Sequence, residues 1–193
     1  MSGHHHRLRL AALVALMPLA LRGDAGAAGC KDRIPTTWDV EVAPASEPGE
    51  RLVVTGRVIS DPKGEPLAGV TVYVYHADAN GLYNLAGHER EPPRLCGILR
   101  THKAGEYRIR TIMPGGYDGP PHIHFEVWSP RVARQMLFVN LERPAAARDT
   151  SRMLVTNVPP RVLEGTRTAM TRPVARGADG VLRCVRDLQV GAR

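Results

Sequence analysis

Polar and apolar residues alternate with period two along several short stretches of the 193-residue chain, the pattern of strands that bury one face. Residues 51–60 (RLVVTGRVIS) read as one such strand. The turn formers Asp61, Pro62, Gly64 and Pro66 follow it, and 70–76 (VTVYVYH) then sets Val70, Val72 and Val74 against Thr71, Tyr73 and Tyr75. Within 106–111, Tyr107, Ile109 and Thr111 share one side while Arg108 and Arg110 share the other. Further strands are expected at 120–127 (PPHIHFEV), 134–140 (RQMLFVN) and 181–190 (VLRCVRDLQV). Between them, Asn80-Gly81 marks a turn, 84–97 reads as a long loop with His88, Arg90 and Arg94, and 113–117 (MPGGY) is a second exit loop. Periodicity fades from 141 to 176, a region expected to wrap the body. Short strands separated by turns predict an all-β, two-sheet β-sandwich with long loops and little helix.

The first residues do not belong to that body. Arg7 and Arg9 precede an apolar run from Leu10 to Leu21, and Ala25-Gly26-Ala27 follows as a small-residue cleavage site, the layout of a secretory signal peptide. The division expected is a signal peptide over 1–27, an N-terminal strap over 28–49 and a single sandwich domain over 50–193. Such a leader sends the protein to the periplasm or outside the cell, with no stable membrane insertion once it is removed. His4, His5 and His6 go with it. An oxidising compartment allows one disulfide among Cys30, Cys96 and Cys184, and a staple between the ends, Cys30 to Cys184, is the pairing expected. No cysteine stands in a CxxC spacing, so neither a zinc knuckle nor a redox motif is indicated.

The formal charge of +7 falls to about +5 without the leader. The arginines are scattered and few aromatics lie among them, which argues against a nucleic-acid groove.

The chemistry centres on 120–127. His122 and His124, two apart on a strand, project to one side, while Ile123, Phe125 and Val127 project to the other. Two imidazoles so presented suit a metal; equally, one could be a hydrogen-bonded strand residue and the other surface. Tyr83 and Tyr117 end the loops that frame this strand. Two phenols with two imidazoles match hard, trivalent iron better than zinc or copper(I), although a loop tyrosine often only packs its ring on a sheet.

The succession Gly56-Arg57-Val58, Gly64, Pro66-Leu67, Gly69, His76-Ala77-Asp78, Gly81, Tyr83, Gly105, Tyr107, Pro114-Gly115, Tyr117, His122-Ile123-His124-Phe125 and Gln135-Met136 resembles the intradiol ring-cleavage dioxygenases, of the protocatechuate 3,4-dioxygenase and catechol dioxygenase type. The resemblance covers roughly residues 50–140. It implies a non-haem Fe(III) held by Tyr83, Tyr117, His122 and His124, and cleavage of a catechol by O2 to a cis,cis-muconate type diacid. It also implies that Tyr117 leaves the metal to take a substrate proton, and that Gln135 stands near the substrate. The family usually has an arginine three residues before the first histidine, where this chain has Gly119; Arg90, Arg94, Arg100 or Arg134 could supply a cation instead. That departure keeps a second expectation open, a non-catalytic metal- or ligand-binding sandwich module. A zinc or copper protein would leave the tyrosines without a role. Self-association into a homo-oligomer is left open.

Overall fold

A computed structural model describes residues 29–84, 92–116, 119–144 and 170–191. The signal peptide expected over 1–27 lies outside them. The described chain starts with a single 3-10 turn, Cys30–Asp32, and the strands follow: β1 (Asp39–Glu41), β2 (Arg51–Asp61), β3 (Thr71–His76), β4 (Leu95–Arg100), β5 (Glu106–Ile112), β6 (His122–Ser129), β7 (Val132–Glu142), β8 (Met170–Pro173), β9 (Ala175–Arg176), β10 (Leu182–Val185) and β11 (Leu188–Gly191). They form two sheets. One runs β1-β5-β2-β10-β9, with β11 also on β2, and the other runs β4-β3-β6-β7-β8.

The expected alternation decides which side of each strand is core. Val70, Val72 and Val74, then Tyr107, Ile109 and Thr111, and finally Ile123, Phe125 and Val127 are all buried between the sheets. Their apolar area supplies the main drive to fold.

Three expectations about strands are corrected. β4 starts inside the stretch read as a loop over 84–97; its sequence LCGILR is apolar on both faces, so no period-two signal marks it. The stretch read as wrapping the body contains β8, which pairs in parallel with β7. The single closing strand over 181–190 is two strands, both parallel to β2. The break at Arg186-Asp187 is held by bonds other than those of a sheet ladder. Arg186 N donates to Thr55 O (2.8 Å), the Tyr107 hydroxyl donates to Arg186 O (2.6 Å), and Arg57 N donates to Asp187 Oδ1 (2.8 Å). Gly56 sits directly beneath: a Cβ there would come within 1.7 Å of Arg186 O, so only glycine admits the crossing chain.

The outward face of the second sheet is partly roofed by the N-terminal strap. Cys30 bonds to Cys96 on β4, Lys31 reaches Glu126 on β6 at 2.6 Å, and its ammonium stands 5.5 Å from the Tyr73 ring centre. The expected Cys30–Cys184 staple is therefore wrong. Cys184 points inward from β10 into the core, 1% exposed and with its thiol free, whereas Cys30 lies outside the opposite sheet.

Candidate functional site

The site lies on that outward face, at the start of β6. Asp78 builds the loop that carries Tyr83: its Oδ1 accepts Asn80 N (2.9 Å) and Leu82 N (3.0 Å), and its backbone N donates to Leu82 O (2.8 Å). Gly81 takes φ 87° in this turn, a conformation that favours glycine. Arg94 N then donates to Tyr83 O at 2.7 Å and ties the loop to the approach to β4. On β6, Leu141 N donates to Pro121 O (2.8 Å), which pins the strand's start to β7.

Three donor atoms converge. Tyr83 Oη lies 3.1 Å from His122 Nε2 and 2.8 Å from His124 Nε2, and the two Nε2 atoms are 3.0 Å apart. The hydrogens cannot satisfy this triangle. His122 Nδ1 faces Pro120 O at 2.9 Å, and a carbonyl only accepts, so Nδ1 carries a proton and, in the neutral ring, Nε2 turns a lone pair inward. Burial first, then the nearby His122 and His76, pushes His124 down to about 3, so its ring is neutral and carries one proton. With both rings neutral, at most two hydrogens, one from Tyr83 and one from His124, are left for three contacts. A cation resolves the conflict, because all three atoms then present lone pairs to it. Donors about 2.0–2.1 Å from a common ion and at right angles to one another stand about 3 Å apart, as these do. The set therefore fits a metal. Among the described residues no group of three or more His, Cys, Asp or Glu could hold one, so a metal here depends on the phenol.

Aromatic rings hold the histidines. Tyr75 stacks on His124 with centroids 4.4 Å apart and planes 8° apart, and Phe138 meets His124 edge-on at 4.6 Å. Asn140 is the cross-strand partner of His122 and so shares its face. On the core side of β3, His76 is fully buried; its Nδ1 donates to Ala77 O (2.7 Å) and its Nε2 accepts from the Thr111 hydroxyl (2.6 Å). Burial pushes His76 down to about 4.

Of the residues picked out from sequence, Tyr83, His122 and His124 come together, and Tyr117 lies outside the described residues. Gln135 does not join them. It pairs with Val127, five positions along β6 from His122, a distance of about 17 Å, and faces the core, where it exchanges hydrogen bonds with Gly191 (3.0 and 3.3 Å). Its place beside the histidines belongs to Asn140 and Phe138. Nor do the described candidate cations reach the cluster. Arg94 forks onto Glu47 (2.5 and 2.8 Å) and touches Asp78 (3.3 Å). Arg100 Nε donates to Gly69 O (3.2 Å), and Arg134 pairs with Glu126 (2.6 Å) over the Trp128 ring. Arg90 lies outside the described residues. Tyr75, Phe138 and Asn140 went unnoticed in the sequence, although the parity of β3 already set Tyr75 on the outward face that His124 shares.

A family model described as "Dioxygenase" matches residues 33–147, and the chain belongs to the intradiol ring-cleavage dioxygenase family. Catechol 1,2-dioxygenase 2 of Acinetobacter lwoffii is 30% identical over 116 residues, 50% of this chain and 42% of that protein. The protocatechuate 3,4-dioxygenase beta chain of Burkholderia cepacia is 37% identical over 107 residues, 47% of this chain and 45% of that one. The match thus spans less than half the length of these relatives. Among solved structures, the dioxygenase domain of a dioxygenase–carbohydrate-binding protein fusion from Streptomyces sp. SirexAA-E superposes with a TM-score of 0.55 at 26% identity, over 83% of this chain and 93% of that one. Catechol 1,2-dioxygenase from Pseudomonas arvilla C-1 shares the fold at a TM-score of 0.60 and 20% identity, over 81% of this chain and 57% of that one.

Proposed function

We propose that this protein is a non-haem Fe(III)-dependent intradiol dioxygenase that cleaves a catechol between its two hydroxylated carbons, adding both atoms of O2 to give a cis,cis-muconate type diacid. The observation that carries the proposal is the Tyr83, His122 and His124 triangle, with three short polar contacts and at most two hydrogens. Tyr83, His122 and His124, with Tyr117 as the fourth ligand that the family resemblance implies, would hold the iron. The ferric ion, when bound, supplies Lewis acidity toward the catechol oxygens and redox coupling between the ring and O2.

The chain's own groups do the rest. Pro120 O fixes the tautomer and rotation of His122, so its Nε2 is always the donor. Burial keeps His124 neutral well below physiological pH, so protonation does not compete with ligation. Tyr83 gives up its phenolic proton on ligation. Tyr117 is assigned the role of accepting a catechol proton. The apolar leader and the Cys30–Cys96 disulfide support an exported location. Among the described residues no helix is long and apolar enough to cross a membrane.

One observation favours a second reading, a binding module without turnover: the arginine position is Gly119, and Arg94, Arg100 and Arg134 are engaged elsewhere. Oxygen uptake by iron-loaded protein on a panel of catechol, protocatechuate and hydroxyquinol separates the two. Stoichiometric O2 consumption with growth of diacid absorbance is expected, and no uptake above a metal-free control on any of them would favour the module.

A further inference from the structure

His122 and His124 are steadied by different means. A histidine that binds a metal through one nitrogen is ordinarily oriented by a hydrogen bond from the other, and His122 has that bond, Nδ1 to Pro120 O at 2.9 Å. His124 does not: its Nδ1 is buried and has no hydrogen-bond partner among the described residues. Its ring is instead gripped on a face and an edge. Tyr75, directly across the β3–β6 ladder, lies parallel to the imidazole at 4.4 Å and 8°, while Phe138, directly across the β6–β7 ladder, abuts it at 4.6 Å and 68°. The two neighbouring strands thus close on His124 from either side. Tyr83 also meets the ring edge-on at 5.8 Å, on the side where its oxygen meets Nε2.

We propose that Tyr75 is a positioning residue for the metal site: its stacked ring sets the rotation of His124 and so aims Nε2 at the point shared with Tyr83 and His122. The inference rests on the reading of this cluster as an iron site. Rotating His124 about its Cβ–Cγ bond would carry Nε2 off the triangle, and no bond at Nδ1 resists that rotation. Stacking does resist it, because the flat contact with Tyr75 survives only near the observed plane. The contact uses the ring of Tyr75 and not its hydroxyl, so phenylalanine should replace it and an aliphatic residue should not.

The experiment compares wild type, Tyr75→Phe and Tyr75→Leu by iron titration of the metal-free protein, by the visible tyrosinate-to-iron band, and by thermal unfolding of the metal-free form. Tyr75→Phe is expected to keep the wild-type iron affinity and band. Tyr75→Leu is expected to unfold at nearly the wild-type temperature without metal, yet to bind iron about 10–100-fold more weakly, with a shifted or weakened band. Should the leucine variant fail to fold, Tyr75→Val, better suited to a strand, is read in the same way. Wild-type affinity and band in a folded leucine or valine variant would overturn the inference and leave the iron reading standing. A wild-type protein that takes up no iron would overturn both.

Discussion

Acid should destabilise this fold through His76, by an amount the structure allows to be worked out. The ring is fully buried between the sheets, with Nδ1–H committed to Ala77 O and Nε2 accepting from Thr111. A second proton on Nε2 would make the Thr111 hydroxyl turn from donor to acceptor and would bury an imidazolium away from water. Burial accordingly lowers the folded value to about 4, against about 6.5 for an unfolded chain. The unfolded chain therefore takes the proton first: the contribution is fully present above about pH 6.5 and is lost as the pH falls toward about 4. Between pH 7 and 4.5 the loss is about 2 kcal/mol, which at a urea m value of about 2 kcal/mol/M moves the midpoint by about 1 M. Other groups also respond to acid. Glu47 and Glu50, held low by hydrogen bonds from Arg94 and Arg176, respond, as does His124 in the metal-free protein. They are common to wild type and a His76→Gln variant, so the difference between the two isolates His76. Urea unfolding of both metal-free proteins at pH 7 and 4.5 should show the variant losing about 1 M less of its midpoint. Equal losses in the two proteins would refute the assignment.

Gly56→Ala should cost about 2–4 kcal/mol in urea unfolding, because the new Cβ meets the Arg186 carbonyl and only movement of the β10–β11 crossing can relieve it; a loss under about 0.5 kcal/mol would contradict the close approach. Cys30→Ser opens a 66-residue disulfide loop and should lower stability by about 4 kcal/mol, a loss that dithiothreitol on the wild type should reproduce. At Gly119 a Cβ meets nothing within 4 Å among the described residues, so Gly119→Arg should leave the unfolding midpoint nearly unchanged while placing a cation three residues before His122; kcat/KM on catechol should rise about tenfold, and an unchanged or lower value would show that this site does not use one.

The parts of this fold that could be read from the chain are those where one side of a strand is buried and the other is wet. Val70 to Val74, Tyr107 to Thr111 and Ile123 to Val127 alternate for that reason, and their core faces lie where the alternation puts them. β4 could not be read in that way, because the strap covers its second face and removes the polar residues that would mark it. The break between β10 and β11 depends on contacts from Thr55, Arg57 and Tyr107, far away in sequence. At the site, His-x-His on a strand and a tyrosine after an Asn-Gly turn were visible as local patterns, and the fold brings the three together. Gln135 was misplaced because its position in β7 depends on pairing and parity: the register sets it beside Val127 and turns it toward Gly191. The role of Tyr75 also needed the register, which lays it against His124 across the ladder.

The most direct test of the iron centre is one preparation of protein, loaded anaerobically with iron and oxidised, examined for bound metal and visible absorption beside a Tyr83→Phe variant. One ferric ion per chain and a red-brown tyrosinate band are expected for the wild type, with both lost or sharply reduced when the Tyr83 oxygen is removed. A wild-type protein that stays colourless and iron-free, or a Tyr83→Phe variant indistinguishable from it, would contradict the convergence of Tyr83, His122 and His124 on a single metal ion.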